Sequence, residues 1–328
     1  MRVALVTAAT AKPCRGNFTT IQRWVHHDYS WDLVRVPPEP DHVLDPVPDV
    51  VHGYHALHGG LAAREIARRH QRPLVISVGG TDLWRLMGGR ERADEVASVL
   101  GSAACITGAF ESFGGILAGL LPDMPEYVVV PRAIALPDVP PPAREEGVLR
   151  VLLPAGLRDI KDPMLGIDLA DELVRRGLPL RLTIMGPTID EDYAERLRAR
   201  ASGLDFVHFE VRPPDQVAEA YRQADVCWNT STHEGGANAL LEGLAYGQAV
   251  FARDVLGNRD FFEAPDSPAT LFDPADLEGA ERFHRAVFEE SDEERRLRVE
   301  CAREWLRRNH SAGHEARALE RAWAAALP

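Results

Sequence analysis

Short apolar runs alternate with amphipathic segments along the first part of the chain. The apolar runs predict six strands, at residues 3–7, 33–36, 50–53, 74–78, 105–107 and 127–130. The amphipathic segments predict helices at residues 17–27, 60–69, 92–100 and 111–121. Continuous Val, Ile and Leu strands between helices are typical of a parallel sheet covered on both faces. The pattern predicts a doubly wound α/β domain.

A proline-rich and charged segment, ALPDVPPPAREEG at residues 135–147, interrupts this alternation and suits an extended linker. The alternation then resumes. Strands are predicted at residues 149–156, 180–186, 206–209, 225–230 and 249–253, and helices at 163–176, 190–200, 214–223 and from about 237. The chain from about residue 277 is mostly helical, and Ser311 is placed to cap a last helix.

The expected fold class is therefore α/β, with two doubly wound Rossmann-like domains facing a central cleft. The first domain is predicted to span residues 1–143 and the second residues 144–308. Residues 309–328 are expected to form a helix that packs back toward the first domain. Ligands of such sheets bind outside the carboxyl ends of the strands, so the loops at those ends are the places to look for chemistry.

The segment HEGGANALLEG, residues 233–243, runs from a predicted strand end into a predicted helix. Gly235 and Gly236 allow a ligand to approach the backbone closely, and the helix begins at about Ala237 and Asn238. Free N–H groups and the helix dipole favour an anion there, such as a phosphate. Glu234 is itself an anion, so it must serve a different group, and sugar hydroxyl groups are good donors to a carboxylate.

Glu242 follows Glu234 by eight residues, a little over two helical turns. The two carboxylates therefore share a broad face and could hold one elongated ligand at different ends. The alternative is structural: Glu234 caps the helix and Glu242 forms a surface ion pair. Spacing alone leaves both interpretations open.

Two cations, Arg158 and Lys161, lie in AGLRDIKDP, a loop after the first strand of the second domain. Together they could neutralise a diphosphate, the Arg through paired hydrogen bonds and the Lys as a point charge. Exposed cations are common in such loops, so the prediction depends on both loops opening at the same edge of one sheet.

In the first domain, Gly16 and Asn17 follow the first strand, His55 and His58 lie near a later strand end, and VGGTDLW follows the next strand. His52, His55 and His58 are spaced by three, but a strand-to-loop transition need not place them on one face, so we expect no metal site. HExxH, GxSxG and GxxxxGK[ST] patterns are absent.

Composition narrows the function further. The net charge of −13 and the pI near 5.4 argue against a dedicated nucleic-acid binder. The apolar run after Met1 is too short for a signal peptide, and no stretch reaches the length of a membrane span. The four cysteines form no CxxC pair and are read as reduced thiols. We expect a cytoplasmic protein without a stable membrane anchor.

The segment EGGANALLEGLAYGQAVFARDVLGN, with GLRDIKDP upstream, resembles the E-x7-E region of retaining glycosyltransferases of the GT-B fold, family 4. The resemblance extends over essentially the whole chain. GNFTTIQRW, HALHGG, GGTDLW, MGPTIDEDY and LGN are similar to two subgroups. One comprises the glycosyltransferase 1 domain-containing 1 proteins. The other comprises the selenosugar synthases, which use a UDP-sugar and selenophosphate.

The resemblance implies a role for each matched donor-side position. Glu234 contacts the donor sugar, Glu242 contacts the ribose, and Arg158 and Lys161 bind the diphosphate. The implied backbone and small-residue contacts of the donor are Gly16, Asn17, Gly235, Gly236, Ala237 and Asn238. Transfer is expected to retain the anomeric configuration, with the donor phosphate deprotonating the acceptor and no enzymic nucleophile. No metal-binding DxD motif appears where a metal-dependent transferase would need one, so we expect neither a metal nor another cofactor.

On the same resemblance, His55 lies near the anomeric centre, so His55, Glu234, Arg158 and Lys161 are the candidate catalytic residues. His58, Thr81 and Asp82 are the candidate acceptor-side residues. The chain departs from the family pattern at two places: GQAV has Gln248 and Ala249 where a Pro is usual, and the first glycine-rich loop is reduced to Gly16.

The acceptor side is the more open one. A small anionic selenium or sulfur nucleophile would need a compact cationic pocket, which His55, His58, Arg15 and Arg85 could supply. The partners expected are a nucleotide-sugar donor and a small-molecule acceptor, with no nucleic acid. A binding module without catalysis is the alternative of a different class, and the presence of both glutamates and both cations disfavours it.

Overall fold

The chain divides into two compact units, each built on one six-stranded parallel sheet. A computed structural model describes residues 1–8, 17–26, 31–89, 91–138, 145, 147–263 and 266–328. Unit 1 comprises Met1–Ala133 and His310–Pro328, and unit 2 comprises Ile134–Asn309. The predicted α/β class, with two doubly wound halves, is confirmed.

The sheet of unit 1 has the order β2-β1-β3-β4-β5-β6, with all pairs parallel. Its strands are β1 (Arg2–Val6), β2 (Asp32–Val36), β3 (Val50–Tyr54), β4 (Leu74–Ser77), β5 (Cys105–Gly108) and β6 (Glu126–Val129). The helices connecting them are α1 (Asn17–His26), α2 (Leu61–His70), α3 (Gly80–Met87), α4 (Ala93–Gly101) and α5 (Glu111–Leu120). The central strands β3, β4 and β5 are buried throughout, because helices cover both faces, whereas the edge strand β2 is mostly exposed.

The sheet of unit 2 has the order β12-β11-β10-β7-β8-β9, again parallel. Its strands are β7 (Leu149–Pro154), β8 (Leu180–Met185), β9 (Val207–Glu210), β10 (Val226–Asn229), β11 (Ala249–Arg253) and β12 (Ala269–Phe272). Its helices are α6 (Pro163–Arg175), α7 (Glu191–Ala201), α8 (Val217–Arg222), α9 (Asn238–Ala245), α10 (Leu256–Phe262), α11 (Leu277–Glu289) and α12 (Asp292–Asn309).

The core of unit 2 includes a buried Trp–His pair. The indole of Trp228 donates to Nε2 of His284 at 2.8 Å, and Nδ1 of His284 bonds the carbonyl of Ala280 at 2.6 Å. Burial lowers the pKa of His284 to about 4, and the backbone bond to Ala280 opposes this only in part. His284 is therefore neutral at pH 7, and both of its ring nitrogens have a partner.

The last helix, α13 (Ala312–Ala326), belongs to unit 1. Its Glu315 accepts hydrogen bonds from two nitrogens of the Arg23 guanidinium, from Nε at 2.6 Å and from Nη2. Its Trp323 is fully buried and donates to Nδ1 of His52 at 3.0 Å. A bidentate ion pair and a buried indole are strong local anchors.

The division between the units falls at 133/134, ten residues before the predicted boundary at 143/144. The reason lies at Pro137, whose carbonyl accepts from Arg303 of α12 at 2.7 Å. The start of the proline-rich segment therefore already belongs to unit 2. Most of the rest of that segment, residues 139–144 and 146, lies outside the described residues.

Each sheet has one point where neighbouring strands send their connections in opposite directions. The strand order places this switch point between β1 and β3 in unit 1, and between β7 and β10 in unit 2. Doubly wound sheets bind ligands at such points. None of the helices in the described part of the chain combines the length and apolarity needed to cross a membrane.

Candidate functional site

In unit 2, the loops that follow β7 and β10 are joined by hydrogen bonds. The hydroxyl of Thr230 donates to the carbonyl of Lys161 at 2.9 Å, and the N–H of Thr232 donates to the carbonyl of Ile160 at 3.0 Å. Arg253, at the end of β11, donates from one nitrogen to Asp162 at 3.0 Å and to the Thr230 carbonyl at 3.3 Å. The loops after β7 and β10 therefore meet at one edge of the sheet, as the sequence predicts.

An ion pair joins the two loops through their side chains. Nζ of Lys161 lies 2.6 Å from Oε1 of Glu234, and the amide of Asn229 donates to the same oxygen at 2.9 Å. The side chains of Lys161 and Glu234 are 23% and 7% exposed. Burial alone would raise the pKa of Glu234, but the charge of Lys161 and the hydrogen bonds from Lys161, Ser231 and Asn229 outweigh it and lower the pKa. Glu234 is therefore a carboxylate at neutral pH.

Two buried asparagines hold this pair in place, and sequence reasoning missed them. Oδ1 of Asn229 accepts from the N–H of Ser231 at 3.2 Å and from the amide of Asn258 at 3.1 Å. Asn258 is fully buried and also donates to the carbonyl of Arg253 at 2.9 Å. With Oδ1 of Asn229 occupied, its amide points to Glu234. The sequence feature that could have pointed to Asn229 is its position at the end of a strand of buried residues.

The Gly-Gly turn after Glu234 is shaped by close backbone packing. Gly236 has φ +95°, a conformation that favours glycine. Gly257, in the first turn of α10, approaches so closely that a Cβ there would lie 2.3 Å from the carbonyl oxygen of Glu234. Any larger residue at 257 would therefore displace the turn that carries Glu234.

Helix α9 begins directly after this turn, at Asn238, one residue later than predicted. The preceding Ala237 offers no side-chain cap, and the first turn of the helix has no acidic residue. The first N–H groups of a helix have no partner inside it, and the helix dipole makes them attractive to an anion. Glu234 does not act as the cap, so that part of the structural alternative is wrong.

Arg158 lies on a loop that is itself fixed. The N–H of Leu157 donates to the carbonyl of Pro187 at 2.9 Å, and the Leu157 carbonyl accepts from Asp190 at 3.1 Å. Arg158 is exposed, and its guanidinium makes no hydrogen bond or ion pair with any residue that the structure describes. It is thus a cation on a rigid support, available to an external anion.

Glu242 lies in the second turn of α9 and is half-buried. It hydrogen bonds the side chain of Tyr221, a buried phenol whose ring stacks on Tyr246 at 5.6 Å between centroids. Burial, followed by the nearby charge of Glu242, raises the pKa of Tyr221 well above its ordinary value. A buried hydroxyl is therefore a partner of Glu242.

In unit 1, His55 follows β3 at the switch point, with φ +69°. A non-glycine residue with positive φ is uncommon and costs about 1–3 kcal/mol. Its N–H donates to the carbonyl of Ser77 at 2.9 Å, and its own carbonyl accepts from Gly59 at 3.1 Å and Gly60 at 2.9 Å. These bonds close a π-helical turn, Ala56–Gly60, that the sequence pattern did not predict.

The imidazole of His55 is buried beside Asp82, with 2.9 Å between Nδ1 and Oδ1. Asp82 is fully buried in the first turn of α3. Its carboxylate faces His55 and the backbone, and its assignment to the acceptor side stays a prediction. Thr81 and His58 are exposed, and the ring of His58 lies 4.5 Å from that of His55.

His52, His55 and His58 do not form one cluster. Nε2 of His52 bonds the hydroxyl of Ser77 at 2.8 Å, and burial lowers the pKa of His52 to about 3. Within the described residues, no group of three or more His, Cys, Asp or Glu side chains is arranged to hold a metal ion. Gly16 lies outside the described residues, and Asn17 begins α1, where only its backbone is described.

Comparison with known proteins identifies the kind of domain in unit 2. Residues 150–287 match the family described as Glycosyl transferases group 1. The second half of the chain is therefore similar to this family. Glycosyltransferase 1 domain-containing protein 1 of Xenopus tropicalis is 24% identical over 161 residues, which cover 49% of this chain and 46% of that protein. The chain thus matches about half the length of this curated relative.

Solved structures confirm the fold. HepE of Anabaena, crystallised with UDP and glucose, superposes with a TM-score of 0.75 at 12% identity, covering 98% of this chain and 99% of HepE. Sucrose-phosphate synthase of Thermosynechococcus elongatus gives 0.73 at 13% identity, covering 99% and 98%. TarM gives 0.69 at 13% identity, covering 84% of this chain and 54% of TarM. The chain therefore has the GT-B fold, as predicted.

Proposed function

We propose that this protein is a glycosyltransferase that takes its sugar from a nucleotide diphosphate sugar held by unit 2. The observation that carries the proposal is the ion pair of Lys161 with Glu234. It places a cation and an ionised carboxylate at the switch point of the sheet, beside the N-terminus of α9. The cation and the helix N-terminus suit a diphosphate. The carboxylate suits a hydroxyl group of the sugar.

The donor is assigned to this site in three parts. The diphosphate lies at the N-terminus of α9, with Arg158 binding its oxygens and Lys161 contributing charge. The sugar donates hydroxyl hydrogens to Glu234, which Lys161 keeps ionised. The ribose lies against Glu242, whose existing bond to Tyr221 shows that its carboxylate faces hydroxyl donors.

We propose transfer with retention of configuration. The bond between the anomeric carbon and the diphosphate oxygen breaks, and the acceptor atom bonds the anomeric carbon on the same face. The acceptor proton passes to the departing phosphate. Stabilising the charge on the leaving diphosphate is the main contribution of the protein, through Arg158, Lys161 and the helix N-terminus. We propose no divalent cation for this step, so a chelator should leave the rate unchanged.

A UDP-sugar is the proposed donor. The similarity to HepE, a protein crystallised with UDP and glucose, supports this choice. The proposed acceptor is a small molecule. Selenophosphate is the alternative acceptor, for which Arg85 of unit 1 would supply positive charge.

Product analysis tests the proposal. The protein is incubated with UDP- and GDP-sugars, each with sugar acceptors and with selenophosphate, and products are identified by mass spectrometry and anomeric NMR couplings. We expect UDP release with a retained product. UDP release only with selenophosphate would select the selenosugar reaction, whereas binding without turnover would indicate a binding module.

Glu234→Ala should abolish this turnover. The matched control is Glu195→Ala, which removes an exposed carboxylate of α7 in the same unit. If Glu234→Ala keeps near-full activity, the assignment of Glu234 to the donor sugar is wrong.

A further inference from the structure

The pair formed by His55 and Asp82 has two buried atoms that depend on each other. Nδ1 of His55 and Oδ1 of Asp82 are both buried, and neither has a hydrogen-bond partner among the described residues apart from the other. They lie 2.9 Å apart, the distance but not the angle of a hydrogen bond. Such bonds are often poorly aligned in enzymes before the substrate binds. A buried polar atom without a partner is costly, so a proton between these two satisfies both.

The rest of the Asp82 carboxylate is already committed. Its other oxygen, Oδ2, accepts from the N–H of Gly79 at 3.0 Å and from the N–H of Ala56 at 3.2 Å. Two backbone donors to one buried oxygen suit a carboxylate group that only accepts. The nitrogen of His55 that faces Asp82 must then carry the hydrogen, because two acceptors at 2.9 Å would repel each other.

The other nitrogen of His55 is in a different environment. Nε2 of His55 has no hydrogen-bond partner among the residues that the structure describes, but unlike Nδ1 it is not sealed from solvent. Gly79 lies against this edge of the ring, and a Cβ there would be 3.2 Å from Cδ2 and 3.7 Å from Nε2. The glycine therefore leaves the Nε2 edge without a side chain over it. The backbone of His55 is held at positive φ by three hydrogen bonds, which fixes the direction of the ring.

We infer that Asp82 is a positioning residue that fixes His55 in the tautomer with hydrogen on Nδ1 and presents Nε2 as an acceptor to the reacting molecules. The inference rests on the proposed function for its effect on rate, but its structural content does not. In this arrangement Nε2 accepts a hydrogen bond from a hydroxyl of the acceptor. With the opposite tautomer, Nε2 would be a donor and the same hydroxyl would have to turn.

Asp82→Asn provides the test, because it keeps the shape of the side chain but places a donor opposite Nδ1. Imidazole nitrogen shifts in ¹⁵N NMR give the tautomer directly, with the His55 signals identified by their loss in His55→Gln. We expect the Nδ1–H tautomer in the wild type and the Nε2–H tautomer in Asp82→Asn. This measurement needs no substrate, so it judges the inference even if no donor is turned over. A wild-type His55 with hydrogen on Nε2, or an unchanged tautomer in the variant, would overturn it.

Kinetics supply the second arm. Asp82→Asn should lower kcat by about 100-fold, in the range typical of an acid–base contact, while UDP binding stays unchanged. In the His55→Gln background, the same substitution should cost nothing further, because Asp82 acts through His55. Asp94→Asn, which removes an exposed carboxylate of α4, is the matched control. Equal losses from Asp82→Asn with and without His55 would show that Asp82 only stabilises the fold.

Discussion

Replacing Lys161 with methionine removes the cation opposite Glu234 and keeps most of the volume of the side chain. The carboxylate of Glu234 is then left 7% exposed, with the amide of Asn229 and the other loop donors but no counter-charge. Breaking a fully buried pair by removing one partner costs about 3–5 kcal/mol, and breaking an exposed pair about 0–1 kcal/mol. Because Lys161 is 23% exposed and the hydrogen bond from Asn229 remains, we expect a loss of about 2 kcal/mol.

The assay is a double-mutant cycle of Lys161→Met and Glu234→Gln, read by denaturant-dependent hydrogen exchange of the β10 amides, which report on unit 2. The double variant should be more stable than the sum of the single losses predicts, by about 1.5 kcal/mol. The exposed pair of Arg181 with Glu145, 43% and 46% exposed, is the control and should couple by less than about 0.5 kcal/mol. Equal coupling in the two pairs would refute the argument from burial.

The pH dependence of stability provides an independent test of the effect of Lys161 on Glu234. In the wild type the pKa of Glu234 is lowered, so this residue stabilises the fold above the unfolded pKa of about 4.3, and that contribution is lost as the pH falls through the folded pKa. Without Lys161, burial dominates and raises the pKa of Glu234. The deficit of Lys161→Met should therefore shrink between pH 8 and pH 5. A deficit that grows over this interval would contradict the account.

Three further predictions follow from single contacts. Gly257→Ala should weaken UDP-sugar binding measurably, because its Cβ would lie 2.3 Å from the Glu234 carbonyl oxygen; unchanged titrations would refute this. Arg158→Ala should weaken UDP binding by about tenfold without changing the unfolding midpoint, since its guanidinium has no described partner; a midpoint shift with unaltered affinity would count against its role. Burial lowers the pKa of His52 to about 3 and of His284 to about 4, so each should cost about 2 kcal/mol of stability between pH 7 and pH 5; flat denaturation midpoints over this interval would contradict it.

The parallel strands and their helices could be predicted from sequence because each is an apolar run bounded by turn residues. Two α-helices and one strand were missed. Helix α3 begins at two glycines, α10 has only seven residues, and β12 is a four-residue edge strand that is only partly buried. Each is held by tertiary contacts more than by its own pattern, which a periodicity argument does not detect.

The loops that carry the candidate site could be predicted from the sequence, but the contacts between their side chains could not. The cationic loop with Lys161 and the carboxylate of Glu234 were expected to open at one sheet edge, and they do. Their direct contact was not predicted, because it depends on the strand order that makes β7 and β10 neighbours. The contact of Asp82 with His55 was not predicted for a related reason: His55 is 27 residues away in sequence, and only the pairing of β3 with β4 brings their loops together.

The central claim is that unit 2 binds a nucleotide sugar with the sugar at Glu234. Isothermal titration of UDP and of matching UDP-sugars into the wild type and Glu234→Ala tests it most directly. The account predicts that the variant binds the UDP-sugar at least tenfold more weakly, whereas UDP binds as well or better, because Lys161 is released from its pair. Equal weakening of both ligands, or no binding of any nucleotide sugar by the wild type, would contradict the account.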